Sequence, residues 1–191
     1  MSNFPRTVEE ITPEWLTQVL RESGLNESTQ VESVSATPLG ADRGVNSEIV
    51  KLTLQYNRDP GGAPTGLIAK FVPSNKEMHA VSDQLGIYEC EAGFYSELAH
   101  RLEIRTPKAF FSAFDTTDRQ LLILLEDLSR FRSVDVSEDC TLDDARSALL
   151  PIAELQAKWW NSPELPSFPF LLTPDLSQSR PAPTVWTVCA W

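Results

Sequence analysis

The sequence predicts an α+β domain in which an antiparallel sheet of short strands carries a helix, followed by the beginning of a helical second part. Short apolar runs bounded by glycine, proline and asparagine, such as residues 66–72, are typical of strands. Residues 83–101 instead repeat their apolar side chains every three or four positions, as a helix does. The 191 residues are enough for one domain with a sizeable core, or for one small domain and part of another.

Composition and charge exclude several classes of function. A net charge of −11 argues against a nucleic-acid partner, because that surface needs a basic footprint. No apolar run approaches the length of a membrane span, and the first residues lack the features of a signal peptide, so we expect a cytoplasmic protein with no membrane partner. Three widely spaced cysteines and two histidines predict free thiols and no metal ligands.

The chain begins with a strong helix signal, in which Thr12 is the expected N-cap, Pro13 occupies the first helical position and Gly24 ends the helix. Residues 31–39 and 47–56 then read as two strands. In the second strand the apolar side chains alternate with polar ones, which predicts one face toward the core.

A glycine-bearing loop joins these two strands. Glycine lets backbone N–H groups approach phosphates closely, which makes Gly40 and Gly44 candidate nucleotide contacts, and Arg43 and Ser47 could donate hydrogen bonds there. The loop lacks the GxGxxG spacing of protein kinases, and most hairpin loops with glycine bind nothing. Solvated Arg43 and Ser47 side chains are therefore the alternative.

Lys70 stands inside the apolar strand of residues 66–72, on the same face as Ile68 and Val72. Glu91 lies within the apolar stripe of the following helix, whereas the nearby acids fall away from that stripe. An unpaired buried charge is costly, so the two side chains are expected to pair. Kinases use a strand lysine and a helix glutamate in this way to hold nucleotide phosphates. The alternative is that each charge reaches solvent on its own.

Three further segments, two strands and a long helix, complete the pattern. A strand is expected from residue 106 to 114, and the five aliphatics of residues 121–125 predict a strand buried on both faces that ends at Glu126 and Asp127. Residues 126 and 127 could form a polar turn after a core strand. Alternatively, they could lie where the backbone of a kinase offers hydrogen-bonding groups to adenine. Thr141 starts a long helix containing Pro151, and prolines interrupt the pattern after residue 161.

Taken in order, these segments resemble the amino-terminal half of the aminoglycoside phosphotransferase/choline kinase group, particularly its ecdysteroid-kinase-like branch. The matching segments are GLIAKF at residues 66–71, YECEAGFYSEL at 88–98, LLILLEDL at 121–128 and IAELQAKWW at 152–160. The resemblance covers about residues 11–165. It implies a protein-kinase-like small lobe, with ATP and Mg²⁺ as cofactors and a small-molecule hydroxyl as phosphate acceptor.

The resemblance also implies roles for individual residues. It assigns catalytic roles to Lys70, on the α- and β-phosphates, and to Glu91, which orients the lysine. The loop from Gly40 to Ser47 would cover the nucleotide, and backbone groups around Glu126, Asp127 and Leu128 would meet adenine. The expected organisation is an N-terminal helix in 1–28, the small lobe in 29–128, a linker and first helix of the second lobe in 129–165, and an irregular proline-rich tail in 166–191.

The sequence departs from the family where catalysis is completed. The family's His-Gly-Asp-type loop and its magnesium ligands are not in this sequence, and both histidines, His79 and His100, precede residue 125. Because phosphoryl transfer depends on metal and positioning, we expect a truncated chain that is inactive alone. A missing second lobe encoded elsewhere is one possible partner. The alternative function is a nonenzymatic nucleotide-binding or protein-interaction module.

Overall fold

The computed structural model describes residues 4–39, 47–132 and 140–171. Within these ranges, five antiparallel strands form one sheet in the order β1-β2-β3-β5-β4. The strands are β1 (Val31–Pro38), β2 (Glu48–Tyr56), β3 (Gly66–Phe71), β4 (Ala109–Asp115) and β5 (Gln120–Glu126). The predicted α+β fold with an antiparallel sheet is confirmed, and the strand ends differ from the expected ones by three residues or fewer.

Four α-helices accompany the sheet in the described part of the chain: α1 (Pro13–Glu22), α2 (Lys76–Gln84), α3 (Ile87–Gly93) and α4 (Leu142–Trp159). The N-cap of α1 is confirmed, because the Thr12 hydroxyl accepts a hydrogen bond from the Trp15 N–H at 3.2 Å. At α4, Thr141 and Asp144 form a reciprocal capping box, which confirms the predicted start of that helix.

The outer face of the sheet packs against α1. The core between this face and α1 is built from alternate residues of the central strands and from apolar residues of the helix, among them Leu16, Val50, Leu52, Leu67 and Leu124. The alternation predicted for the second strand is confirmed, since Val50, Leu52 and Leu54 are all buried in this cluster. This core fixes which side chains of β3 turn to the opposite face.

The inner face of the sheet packs against α3. Tyr88 and Ala92 of the helix meet Leu121, Ile123 and Leu125 of β5, with Ile68 and Val72 beside them. All five residues from Leu121 to Leu125 are buried, which confirms that β5 is covered on both faces. Lys70 lies on this inner face.

The helical region before β4 differs from the single helix predicted over residues 83–101. Gly86, with φ of 69°, separates α2 from α3, and the chain after Gly93 widens into a π-helical turn over Phe94–Leu98 and ends in a 3-10 turn. A left-handed residue ends a regular helix, and glycine adopts that conformation without steric penalty. The predicted stripe is therefore carried by three short segments.

Helix α4 is continuous through Pro151, and none of its residues is buried. Three of its apolar residues, Leu142, Leu149 and Leu150, are 60% or more exposed. After α4 the chain turns back through a 3-10 turn at Leu165–Ser167. No helix in the described ranges is long and apolar enough to cross a membrane.

Candidate nucleotide site

Lys70 is held on the inner face by the register of three strands. It lies opposite Ile49 of β2 and Ile123 of β5 in the two flanking ladders. The amine extends to α3, where it meets Glu91. The side chain keeps 17% of its surface exposed, which leaves the pair open to a ligand on one side.

Glu91 lies near the middle of α3 and is 7% exposed. Its Oε1 accepts a hydrogen bond from Nζ of Lys70, so the structure joins the strand lysine and the helix glutamate in the expected ion pair. An ammonium group has three N–H donors. One donor is directed to the carboxylate, and the others are available to anionic oxygens.

Helix α3 depends on its surroundings for its position. It has seven residues, begins after left-handed Gly86 and has no side-chain N-cap, and isolated helices of this length are marginal in water. Ser112 of β4 donates a hydrogen bond from its hydroxyl to the Ala92 carbonyl at 3.0 Å. Tyr88 is 1% exposed against the sheet, and its burial raises the pKa of the phenol. These contacts tie the helix to the inner face.

A second ion pair lies where the chain leaves the sheet. Lys51 is opposite Ile68 in the register of β2 and β3, and therefore on the inner face like Lys70. Its Nζ is 2.8 Å from Oδ2 of Asp127 and 3.3 Å from Oγ of Ser129. Sequence reasoning missed this pair; the only signal is the alternation that puts Lys51 on the polar side of its strand.

The Asp127 carboxylate is thus already occupied. Burial opposes its ionisation, but hydrogen bonds from Lys51 and from the Ser129 N–H, at 2.9 Å, outweigh burial and lower the pKa of Asp127. Gly66 allows this approach, because a Cβ there would lie 3.0 Å from Oδ2 of Asp127. Through Lys51 the acid ties the exit of β5 to β2.

Two backbone groups of the predicted adenine segment also have partners. The N–H of Glu126 donates to the Lys108 carbonyl at 2.8 Å, and the Leu128 carbonyl accepts from the Phe131 N–H at 2.8 Å. The assignment of residues 126–128 to adenine stays a prediction. Of the glycine loop, Gly40, Arg43 and Gly44 lie outside the described residues, while Ser47 is half-buried just before β2.

A cavity of about 690 Å³ lies at the outer edge of the sheet. It is bounded by the end of α1 with the residues that follow it, the loop of residues 60–66, Lys108, Phe110, Glu126, Asp127, Ser129 and Arg130. Phe110 packs with the outer core, and neither Lys70 nor Glu91 lines the cavity. This space is therefore separate from the ion pair on the inner face.

The described ranges contain no group of three or more histidine, cysteine or acidic side chains that could hold a metal ion such as Mg²⁺. The ammonium group of Lys70, by contrast, has the charge to bind phosphates, since it is held by Glu91 in a side chain that remains 17% exposed. Among the described residues, Lys70 is thus a candidate for binding an anion.

Comparison with known proteins supplies the family. The model of the ecdysteroid kinase-like family matches residues 43–158, which is more than half of the chain. This chain belongs to the ecdysteroid kinase-like family. The match includes β2 to β5, α3 and most of α4, so Lys70 and Glu91 fall within it. Comparisons with curated proteins and with solved structures found no match.

Membership of the ecdysteroid kinase-like family agrees with the fold. A five-stranded antiparallel sheet with a helix on its inner face has the form of a kinase-like small lobe. The family is one of kinase-like phosphotransferases, which in general use a nucleotide and a small-molecule acceptor. The predicted family and fold class are both confirmed.

Proposed function

We propose that this chain provides the nucleotide-binding part of an ATP-dependent phosphotransferase that acts on a hydroxyl of a small molecule. The observation that carries the proposal is the Lys70–Glu91 ion pair between β3 and α3, in a chain of the ecdysteroid kinase-like family. Cytoplasmic ATP would be the phosphate donor. The location in the cytoplasm is part of the proposal.

In this proposal Lys70 binds oxygens of the α- and β-phosphates through the N–H donors that do not face Glu91. Glu91 keeps the ammonium group at one place on the sheet, so less side-chain freedom is lost when the nucleotide binds. Bound Mg²⁺ would neutralise phosphate charge in the complete reaction. No residue of this chain is assigned to the metal.

We also propose that this polypeptide alone does not transfer phosphate. The support is the sequence, which contains neither the His-Gly-Asp-type segment nor the downstream metal ligands of the resembled family. His79, one of two histidines, donates a hydrogen bond from its ring Nε2–H to the Arg119 carbonyl, 3.0 Å away, and therefore has a structural partner. The absence of those segments from the sequence also favours the second candidate, a nucleotide-binding module without activity of its own.

Thermal denaturation of the full chain with and without MgATP tests nucleotide binding, since a ligand that binds only the folded state raises the midpoint. We expect MgATP to stabilise the wild type and to lose most of this effect in Lys70→Ala and in Glu91→Gln. Lys76→Ala, at the exposed start of α2, is the matched control and should respond like the wild type. A wild-type midpoint that MgATP leaves unchanged contradicts the proposal.

Transfer of labelled γ-phosphate to a panel of small alcohols separates the two candidates. Nucleotide binding without transfer by this chain, followed by transfer once a complementary second lobe is added, supports an enzyme part. Nucleotide binding with no transfer in either case favours the module. Transfer by the chain alone contradicts the proposed inactivity.

A further inference from the structure

The chain after α4 returns to α3 and contacts it. We call residues 165–171 the aromatic strap. Its backbone is held by two hydrogen bonds, from the Phe168 N–H to the Leu165 carbonyl at 3.2 Å and from the Leu171 N–H to the Phe168 carbonyl at 3.0 Å. Phe168 and Phe170 are 3% and 4% exposed. A short segment that buries two aromatic side chains is a docked element of the fold.

Phe170 lies directly against the backbone of α3. A Cβ built on Gly93 would fall inside the van der Waals envelope of the Phe170 ring. Gly93 has ordinary helical dihedral angles, with φ of −62°, so its backbone does not require glycine. The requirement comes from the ring, which occupies the place of the missing side chain two residues after Glu91.

The strap also grips the π-helical turn that follows α3. Phe94 and Leu98 of this turn form one buried cluster with Phe168 and Phe170. A π-helical turn is rare and is often found at functional sites. The strap therefore packs against the π-helical turn, which begins three residues after Glu91.

The other side of the strap is anchored to α4. Phe168 contacts Trp159 edge to face, with ring centroids 5.9 Å apart, and packs against Phe170 at 5.7 Å. The guanidinium group of Arg101 lies 5.1 Å from the centroid of the Phe168 ring. The strap thus joins the last turn of α4 to the far end of the α3 region.

We propose that the aromatic strap is a positioning element for the Lys70–Glu91 pair. Helix α3 is short and lacks a side-chain cap, so its place is set by the sheet on one side and by the strap on the other. Docking of Phe170 on Gly93 fixes the helix where Glu91 reaches Lys70. The strap lies beyond residues 43–158, so the family match does not assign it. Its effect on nucleotide affinity rests on the proposed function, but its effect on the ion pair does not.

Hydrogen exchange of the full chain without nucleotide tests the proposal. Phe170→Ala should raise the exchange rate of α3 amides by at least about tenfold while β5 amides keep wild-type rates, since strands of the core report global opening. Phe131→Ala, which truncates an aromatic ring that is 44% exposed and outside the strap, is the control and should leave α3 unchanged. Phe170→Leu replaces Phe170→Ala if the latter does not fold.

Three further readouts sharpen the result. Cys90 is 2% exposed on α3, so in a Cys140→Ser/Cys189→Ser background its alkylation should accelerate by the same factor. Gly93→Ala should act like Phe170→Ala, because both disrupt the same contact between Gly93 and the Phe170 ring. The double variant should therefore add little to either single variant. In the Phe170→Ala background, the energetic coupling between Lys70 and Glu91 should fall by at least half.

A purely structural role would not move that coupling. Equal acceleration of exchange in α3 and β5, or an unchanged Lys70–Glu91 coupling, overturns the proposal. MgATP affinity is the linked measurement and should weaken several-fold in Phe170→Ala. If the wild type binds no nucleotide, the proposed function fails, while exchange, alkylation and coupling still decide the role of the strap.

Discussion

Removing the Lys70–Glu91 ion pair one charge at a time gives the sharpest physical prediction. The two substitutions are Lys70→Met, which shortens the side chain by one atom, and Glu91→Gln, which keeps its length; each removes the charge. Each single variant leaves the opposite charge on the inner face without its partner. The double variant removes both charges, so it should be much less destabilised than the sum of the two single variants.

The magnitude follows from burial. Two unit charges about 4 Å apart attract by about 4 kcal/mol at an effective dielectric constant of about 20, and desolvation of both groups offsets part of this. Removal of one partner from a fully buried pair destabilises by about 3–5 kcal/mol. With side chains 17% and 10% exposed, the lower end applies. We expect about 3 kcal/mol for each single variant, about 4 for the double, and hence a coupling of about 2.

Urea denaturation of the four proteins, followed by fluorescence, measures these free energies of unfolding. The matched control is the surface pair of Lys158 and Glu103, whose Nζ and Oε1 are 2.9 Å apart while their side chains are 45% and 87% exposed. Solvent screens that pair, so its cycle should show no resolvable coupling. Additive effects of the Lys70 and Glu91 substitutions, within about 0.5 kcal/mol, would refute the reasoning.

Three other predictions concern the Lys51–Asp127 ion pair, a helix cap and the core. The lowered pKa of Asp127 means that the unfolded chain binds the proton more readily, so the pair with Lys51 stabilises the fold above about pH 4 and the benefit is lost as pH falls through the folded pKa. Urea midpoints of wild type and Asp127→Asn should therefore converge at low pH, and a constant difference would contradict the pairing. Thr12→Ala should destabilise by about 1 kcal/mol through the loss of its cap, measured by thermal denaturation; no change would show that the bond has no net value. Leu122→Ala, at a fully buried site, should destabilise by about 2–5 kcal/mol in urea, whereas Leu142→Ala, 77% exposed, should be nearly neutral, and similar effects of the two would contradict the assigned core.

Local patterns in the sequence were sufficient for the strands and for the ion pair. Alternation along β3 put Lys70 on the face opposite Leu67, and the helical stripe put Glu91 toward the sheet. Each inference needs only the period of one element and the high cost of an unpaired buried charge. The resemblance to a family added the order of the elements, which the family match bears out.

Contacts between distant segments could not be read in the same way. The partnership of Lys51 and Asp127 depends on the register between β2 and β3 and on the path of the chain after β5. The apolar period continues across Gly86, so it predicts one helix where the structure has a break. A single glycine inside a helical pattern does not reveal a positive φ. The periodicity of the sequence therefore predicts neither the Lys51–Asp127 pair nor the break at Gly86.

The aromatic strap illustrates the same limit. Phe168 and Phe170 stand in a proline-rich stretch with no period, where the sequence predicts an irregular tail. Their burial against Gly93 arises only because α4 carries the chain back to α3. The identity of Gly93 within a helix is the one sequence signal, and it has a meaning only when the opposing ring is known.

Labelling with an acyl-phosphate derivative of ATP tests the central claim most directly, because an amine beside the phosphates attacks the acyl group, keeps it as an amide and releases ATP. We predict that mass spectrometry of the labelled full chain finds Lys70 acylated at least about tenfold more than Lys51, which lies on the same face, and that excess MgATP suppresses this labelling. Labelling of Lys70 that is no greater than that of Lys51, or that excess MgATP does not suppress, would contradict the assignment of the Lys70–Glu91 pair to nucleotide phosphates.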